Sequence, residues 1–250
     1  MDVGEYLDHL RREQRRFVEV VSVADLDAPV PTCPGWSLAD LLVHLGGVQR
    51  WAASIVAGRL VERPTREERE AAAKPPGVGD LVAWFTDGGD QLESALAAAP
   101  ADLECWTFYP ALTPLSFWAR RQSQELAVHR YDAETPATTP GPLPADLAAD
   151  GIDEVLLSFF GSVIGSSDVD DDGPAPVTLA VVPHDSPSSW LIALDGERLS
   201  ASRGARAADC TVTGTSSDLD LFLWNRVGPD ALHVEGDRTV LERLAGSYPI

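Results

Sequence analysis

SLADLLVHLGGVQRWAASIVAG, residues 37–58, decides how the first half of this chain is read. Ser37 is followed three residues later by Asp40, the spacing of a capping box with Asp in place of the usual Glu, so a helix starts there. Gly58 supplies a stop. Between them, Leu41, His44, Leu45, Val48, Ala52 and Ile55 recur at i, i+3, i+4, i+7 spacing, the apolar stripe of an amphipathic helix. That stripe turns one histidine, His44, inward. A buried imidazole needs a partner for each ring nitrogen. Two readings stand: a core histidine bonded to a neighbouring side chain, or a ligand. Gly46-Gly47 beside it would let a facing helix or a ligand approach closely.

Working outward, the first 145 or so residues read as helical. The N-terminal segment carries Val3, Tyr6, Leu7, Leu10, Phe17 and Val21 on one face. A loop with Pro64, Pro75, Pro76 and Gly77 follows the His44 helix. A third helix runs from about Asp80 to Ala99, where Gly88-Gly89 marks a kink. A fourth runs from about Ser116 to Ala133. ETPATTPGPLP (134–144) is a linker, and a fifth helix spans about Pro144 to Ile164.

The texture then changes. SSDVDDDGPAP (166–176) is an acidic loop. VTLAVVP (177–183), SWLIALD (189–195), CTVTGT (210–215) and ALHVEGD (231–237) read as strands. Asp195-Gly196 signals a tight turn into RLSASRG. Thr215 and Asp218 have capping-box spacing, and RTVLERLAG (238–246) is a short helix. The chain is thus an α+β protein of two domains: a helical domain over 1–145, and a small α+β domain with an antiparallel sheet over 146–250, entered through a connecting helix at 146–165.

The formal net charge of −20 argues against nucleic acid and anionic membranes. No apolar run approaches the roughly 18–20 residues of a membrane span, and the N-terminus lacks the apolar core of a signal peptide. Three cysteines with long spacings and no C-x-x-C suit a reducing cytoplasm rather than a disulfide framework. Asp168–Gly173 matches the first half of a calcium loop, but Leu179 stands where the bidentate Glu is required. No phosphate-binding glycine motif is present.

The chemistry-bearing residues lie on two helices. In SQELAVHRYDAE (123–134), Glu125 and His129 are one turn apart on one face. Alone they read either as a surface pair or as two ligands; Arg120, Arg121 and Arg130 mark another face as solvated. Joined by His44, they make two imidazoles and one carboxylate, a donor set typical of catalytic zinc with an open fourth position. Ferrous iron and nickel also accept it.

VPTCPGWSLADLLVHLGGVQRW (30–51) and ELAVHRYDAE (125–134), with VTGTSSDLDLFLWNR (212–226) and LHVEGD (232–237), resemble the mycothiol-dependent maleylpyruvate isomerase family. The resemblance implies a DinB-like up-down four-helix bundle followed by a sterol-carrier-like α+β domain. It implies zinc on His44, Glu125 and His129, mycothiol as thiol cosubstrate, and a small, carboxylate-bearing organic electrophile as partner, in a cytoplasmic monomer or dimer. It also sets Arg226 near the substrate carboxylate, a bidentate partner, where the bland reading is a helix C-terminal cap. The function implied is thiol-dependent isomerisation of a maleylpyruvate-type substrate. An S-transferase, or a non-catalytic binding protein that keeps the fold, stands as the alternative. Gln49 departs from the family pattern, which has His there. Trp36 is expected to staple the helix entry to the core, and Cys33 to be a small buried residue.

Overall fold

The long helices α1 (Val3–Val21), α2 (Leu38–Gly58) and α5 (Pro114–Glu134) each begin at a side chain that caps them. Asp2 and Glu5 close a capping box on α1, and Ser37 and Asp40 close the expected one on α2. α2 ends where Arg59 turns left-handed, at φ 49°. α5 starts two residues before the sequence expectation, because Thr113 accepts from the Ser116 N–H and Pro114 occupies the first helical turn. The structure, a computed structural model, describes residues 1–75, 77, 80–109, 111, 113–159, 176–195, 198–241 and 243.

A short helix, α3 (Arg66–Ala72), interrupts the stretch expected as loop. Its signal is local: Thr65 and Glu68 form a capping box. α4 (Leu81–Ala98) runs through the Gly88-Gly89 pair. A Cβ on Gly88 would lie 2.4 Å from the Arg50 guanidinium, and one on Gly89 would lie 2.2 Å from the Gln14 amide. The pair therefore makes room for polar side chains of α2 and α1 and is not explained by a kink. Gly46 likewise admits the Trp84 ring, 2.3 Å from where its Cβ would stand. That close approach belongs to helix packing, not to a ligand. Helices α1, α2, α4 and α5 form a four-helix bundle, α2 packing chiefly on α4 and α1 on α5. Its direction is up-down-down-up: α1 and α5 run parallel, Tyr6 meeting Ser123 and Arg16 meeting Glu134, and α2 and α4 run opposite to them. Its core includes Phe17, Leu41, Leu45, Ile55, Phe85 and Trp118.

The chain divides into two compact units, Met1–Gly141 and Pro142–Ile250. In the second, α6 covers Ala145–Asp153 and widens into a π-helix over Glu154–Phe159. The expected continuous α-helix therefore stops at Asp153. The wider turn keeps Ile152, Val155 and Leu156 in one core, while the Asp153 carboxylate accepts from Trp190 Nε1 at 2.7 Å. Residues 160–164, the acidic loop with its calcium-like pattern through residue 175, Gly196 and residues 244–246 lie outside the described residues.

Five strands follow: β1 (Val177–Pro183), β2 (Trp190–Asp195), β3 (Arg198–Arg203), β4 (Cys210–Gly214) and β5 (His233–Gly236), in the order β3-β2-β1-β4-β5. The expectation of an antiparallel sheet holds at every pairing but one: β1 and β4 run parallel. The β2–β3 hairpin folds against one edge of β1 and serves as the crossover. Residues 204–209 then return the chain to the other edge, where Cys210 pairs with Leu179. α7 (Ser216–Leu223), capped by Thr215, packs with α6 over the sheet, joining Leu219 and Leu223 to Val181, Trp190, Ile192 and Val212. Among the described residues, no helix is long and apolar enough to cross a membrane.

Candidate metal centre

Packing of α2 against α5 brings His44 to Glu125 and His129. Glu125 Oε1 stands 3.0 Å from His44 Nε2 and 3.5 Å from His129 Nε2, so a single carboxylate oxygen faces both imidazoles. Ligand atoms about 2.0–2.1 Å from a tetrahedral zinc lie about 3.3 Å apart, and the two observed distances bracket that spacing. The imidazole rings meet edge-on at 5.1 Å between centroids. The three residues thus fit one small cation without rearrangement of the helices.

The site opens to solvent on the α2 side. The His44 side chain is 34% exposed, against 11% for His129. Trp36 covers part of the rest, its ring 5.0 Å from that of His44 and stacked at 6.4 Å on that of His129. Trp36 is therefore more than a staple at the helix entry.

A second layer of hydrogen bonds orients the three. His129 Nδ1 donates to Asp132 Oδ2 at 2.7 Å, and the Cys33 thiol donates to the same oxygen at 3.3 Å. This fixes the His129 tautomer and leaves Nε2 facing Glu125. Cys33, His129 and Asp132 also cluster closely enough to suggest a second ligand group. The 2.7 Å contact, however, is a hydrogen bond, shorter than two ligands of one ion approach each other. On the other side, Arg121 donates to Glu125 Oε2 at 2.9 Å.

Electrostatics follow from these contacts. Burial alone would raise the Glu125 carboxyl, but hydrogen bonds from His129 and His44 and the charges of His129 and Arg121 hold it well below the usual carboxylate range. Burial would lower His129. Hydrogen bonds with Asp132, Cys33 and Glu125, and the Glu125 charge, instead hold it well above the usual imidazole value.

One sequence expectation needs correction. Arg121 and Arg130 do not mark a solvated face, for both are buried. α5 is surrounded by other helices, so its cations are paired inside the bundle: Arg130 donates to Glu13 at 2.7 Å, to Glu134 at 2.8 Å and to the Gly141 carbonyl at 2.6 Å. Gln49, buried, donates to Gln14 at 2.8 Å, which gives it a packing role within the bundle. Arg226 belongs to the second unit. Its guanidinium donates to the Trp224 carbonyl at the end of α7, at 2.6 Å, as the C-terminal capping reading requires. Of the remaining histidines, His9 is buried, His184 is exposed, and exposed His233 pairs with Glu235. Sequence reasoning gave Asp132 and Arg121 no role. Their signal is the spacing of Arg121, Glu125 and His129 at i, i+4, i+8, with Asp132 one turn beyond.

A four-helix bundle bearing a two-imidazole, one-carboxylate cluster and followed by a small α+β unit defines a recognisable class of two-domain proteins. Residues 7–134 match the mycothiol maleylpyruvate isomerase N-terminal domain, and residues 146–243 match the C-terminal domain of the same family. The chain belongs to this enzyme family. Two solved structures share its fold. The crystal structure of the mycothiol-dependent maleylpyruvate isomerase has a TM-score of 0.64 and 16% identity, over 94% of this chain and 93% of that one. That of its H52A mutant has a TM-score of 0.64 and 15% identity over the same shares. No curated protein sequence matches the chain significantly.

Proposed function

We propose that this chain is a metal-dependent enzyme, with zinc on His44, Glu125 and His129. It uses a low-molecular-weight thiol, mycothiol in the family, to isomerise a small maleylpyruvate-type acid in the cytoplasm. The observation that carries the reading is the single Glu125 oxygen set 3.0 and 3.5 Å from two imidazole nitrogens, on a site that opens to solvent at His44. A bound divalent ion would supply Lewis acidity, keeping a thiol ionised at neutral pH.

The chain's own residues supply the rest. Asp132 keeps the His129 proton on Nδ1, which leaves Nε2 free to donate its lone pair. Trp36 shields the imidazoles from water on one side. The ionised thiol adds to the conjugated cis double bond, its electron pair moving onto the carbonyl. The former double bond rotates as a single bond. The electron pair then returns and expels the thiolate, so no thiol is consumed. Arg226 is the candidate to hold the substrate carboxylate, on the family resemblance.

Metal analysis of purified protein tests the core of this reading. Wild type should carry zinc near one equivalent, and His44→Ala should lose most of it. Wild-type occupancy below about one-third, unchanged in His44→Ala, refutes it. Incubation with thiol and maleylpyruvate should give the trans isomer with free thiol recovered. A stable thiol conjugate would mark an S-transferase instead.

A further inference from the structure

We infer that Arg121 is a positioning residue that holds Glu125 to one-oxygen ligation and so keeps the fourth position of the metal site open. This rests on the metal reading above. A carboxylate offers two oxygens, and a zinc ion held by two imidazoles accepts either one or both of them. If both bind, the second oxygen occupies the place where an incoming thiol has to bind. In this chain the two oxygens are committed differently. Oε1 faces His44 and His129, whereas Oε2 accepts from Arg121 at 2.9 Å. The Arg121 side chain is only 5% exposed. Its guanidinium is always charged, and a charge-assisted bond in a dry setting is strong. Rotating Oε2 toward the ion would break that charge-assisted bond.

The placement is built by the helix itself. Arg121, Glu125 and His129 are spaced at i, i+4, i+8 on α5, so the cation stands one turn below the carboxylate and the imidazole one turn above it. Asp132 and Arg121 thus do matching work at opposite ends: one fixes which nitrogen of His129 faces the ion, the other which oxygen of Glu125 does.

Cobalt(II) substitution tests this with a readout other than turnover, because four-coordinate cobalt absorbs visible light more strongly than five-coordinate cobalt. Wild type loaded with cobalt should show intense bands, and 2-mercaptoethanol should add a thiolate charge-transfer band. In Arg121→Met the visible bands should weaken, and the thiol concentration at half-change should rise about tenfold, as for other partners that orient ligands. A folded Arg121→Met with wild-type bands and a wild-type thiol midpoint overturns the inference. A crystal structure of the zinc-loaded wild type decides the matter without any variant. Glu125 bound through one oxygen, with Oε2 on Arg121, supports the inference; both oxygens on the ion overturn it. A wild type that takes up no cobalt or zinc refutes the metal reading itself, an outcome distinct from a loaded site in which Arg121 is indifferent.

Discussion

Replacing Asp132 by Asn tests how far the proposed metal site depends on a residue that would not touch the ion. Asp132 is fully buried and accepts two hydrogen bonds on one oxygen, from His129 Nδ1 at 2.7 Å and from Cys33 at 3.3 Å. Asn keeps the shape and one acceptor but removes the charge that makes the His129 imidazole a stronger donor. Loss of such a partner typically weakens metal binding 10–100-fold, or about 1.4–2.8 kcal/mol. A second effect opposes it. Asp132 also helps to hold His129 well above the usual imidazole value, so in wild type a proton competes with the ion for this residue. In Asp132→Asn that competition weakens. The full deficit should therefore appear only where His129 is already deprotonated, and it should narrow as pH falls. Competition titration against a chromogenic zinc chelator, at about pH 6 and again above the pH at which NMR shows His129 of the metal-free protein losing its proton, reads both effects. A variant within about twofold of wild type at the higher pH would show that Asp132 does not orient the ligand. An equal deficit at both values would remove the proton competition.

The metal-free protein should show its own pH signature. His129, raised when folded, contributes stability that is full below its ordinary value of 6.5 and is lost as pH rises through the folded value. Glu125, lowered when folded, contributes stability that is full above its ordinary value of 4.5 and is lost as pH falls through the folded value. Metal-free Tm should therefore peak between pH 4.5 and 6.5; a flat profile across that range and beyond it refutes the coupling. Arg130→Met leaves Glu13 buried without its cation and Glu134 with Arg16 alone, and should cost about 3–5 kcal/mol, read by urea unfolding. A loss under about 1 kcal/mol would show that the network is neutral.

How much was legible follows from how local each signal is. Helices α1 and α2 were legible because their caps and apolar stripes lie within a few residues of each other. The three candidate ligands were legible for the same reason, since Glu125 and His129 share one turn and His44 stands out on an apolar face. What escaped depends on packing partners far away in sequence. Arg130 looks solvated beside Arg120 until Glu13, more than a hundred residues earlier, is seen to meet it at 2.7 Å. Gly88-Gly89 looks like a weak point until Arg50 and Gln14 fill the space above it. The parallel β1–β4 pair is invisible to alternation, which reports faces and not directions. Helix α3 is the opposite case: its capping box, Thr65 and Glu68, is local, but the helix is only seven residues long and lies in a stretch whose prolines read as loop.

The α5 stripe explains why the site holds its shape before an ion enters. Arg121, Glu125, His129 and Asp132 alternate in charge along one face, and each contact joins opposite signs: 2.9 Å, then 3.5 Å, then 2.7 Å. In the metal-free state a proton on His129 does part of the work of the cation, drawing Glu125 toward the imidazoles. A divalent ion bound here would take the place of that proton within a frame already set, instead of gathering three loose ligands. His44 stands apart from this frame. It comes from the other helix, it is the most exposed of the three, and the Glu125 oxygen at 3.0 Å is what ties it in. On the zinc reading, His44 would be the ligand within easiest reach of solvent, and Glu125 and His129 would complete the site.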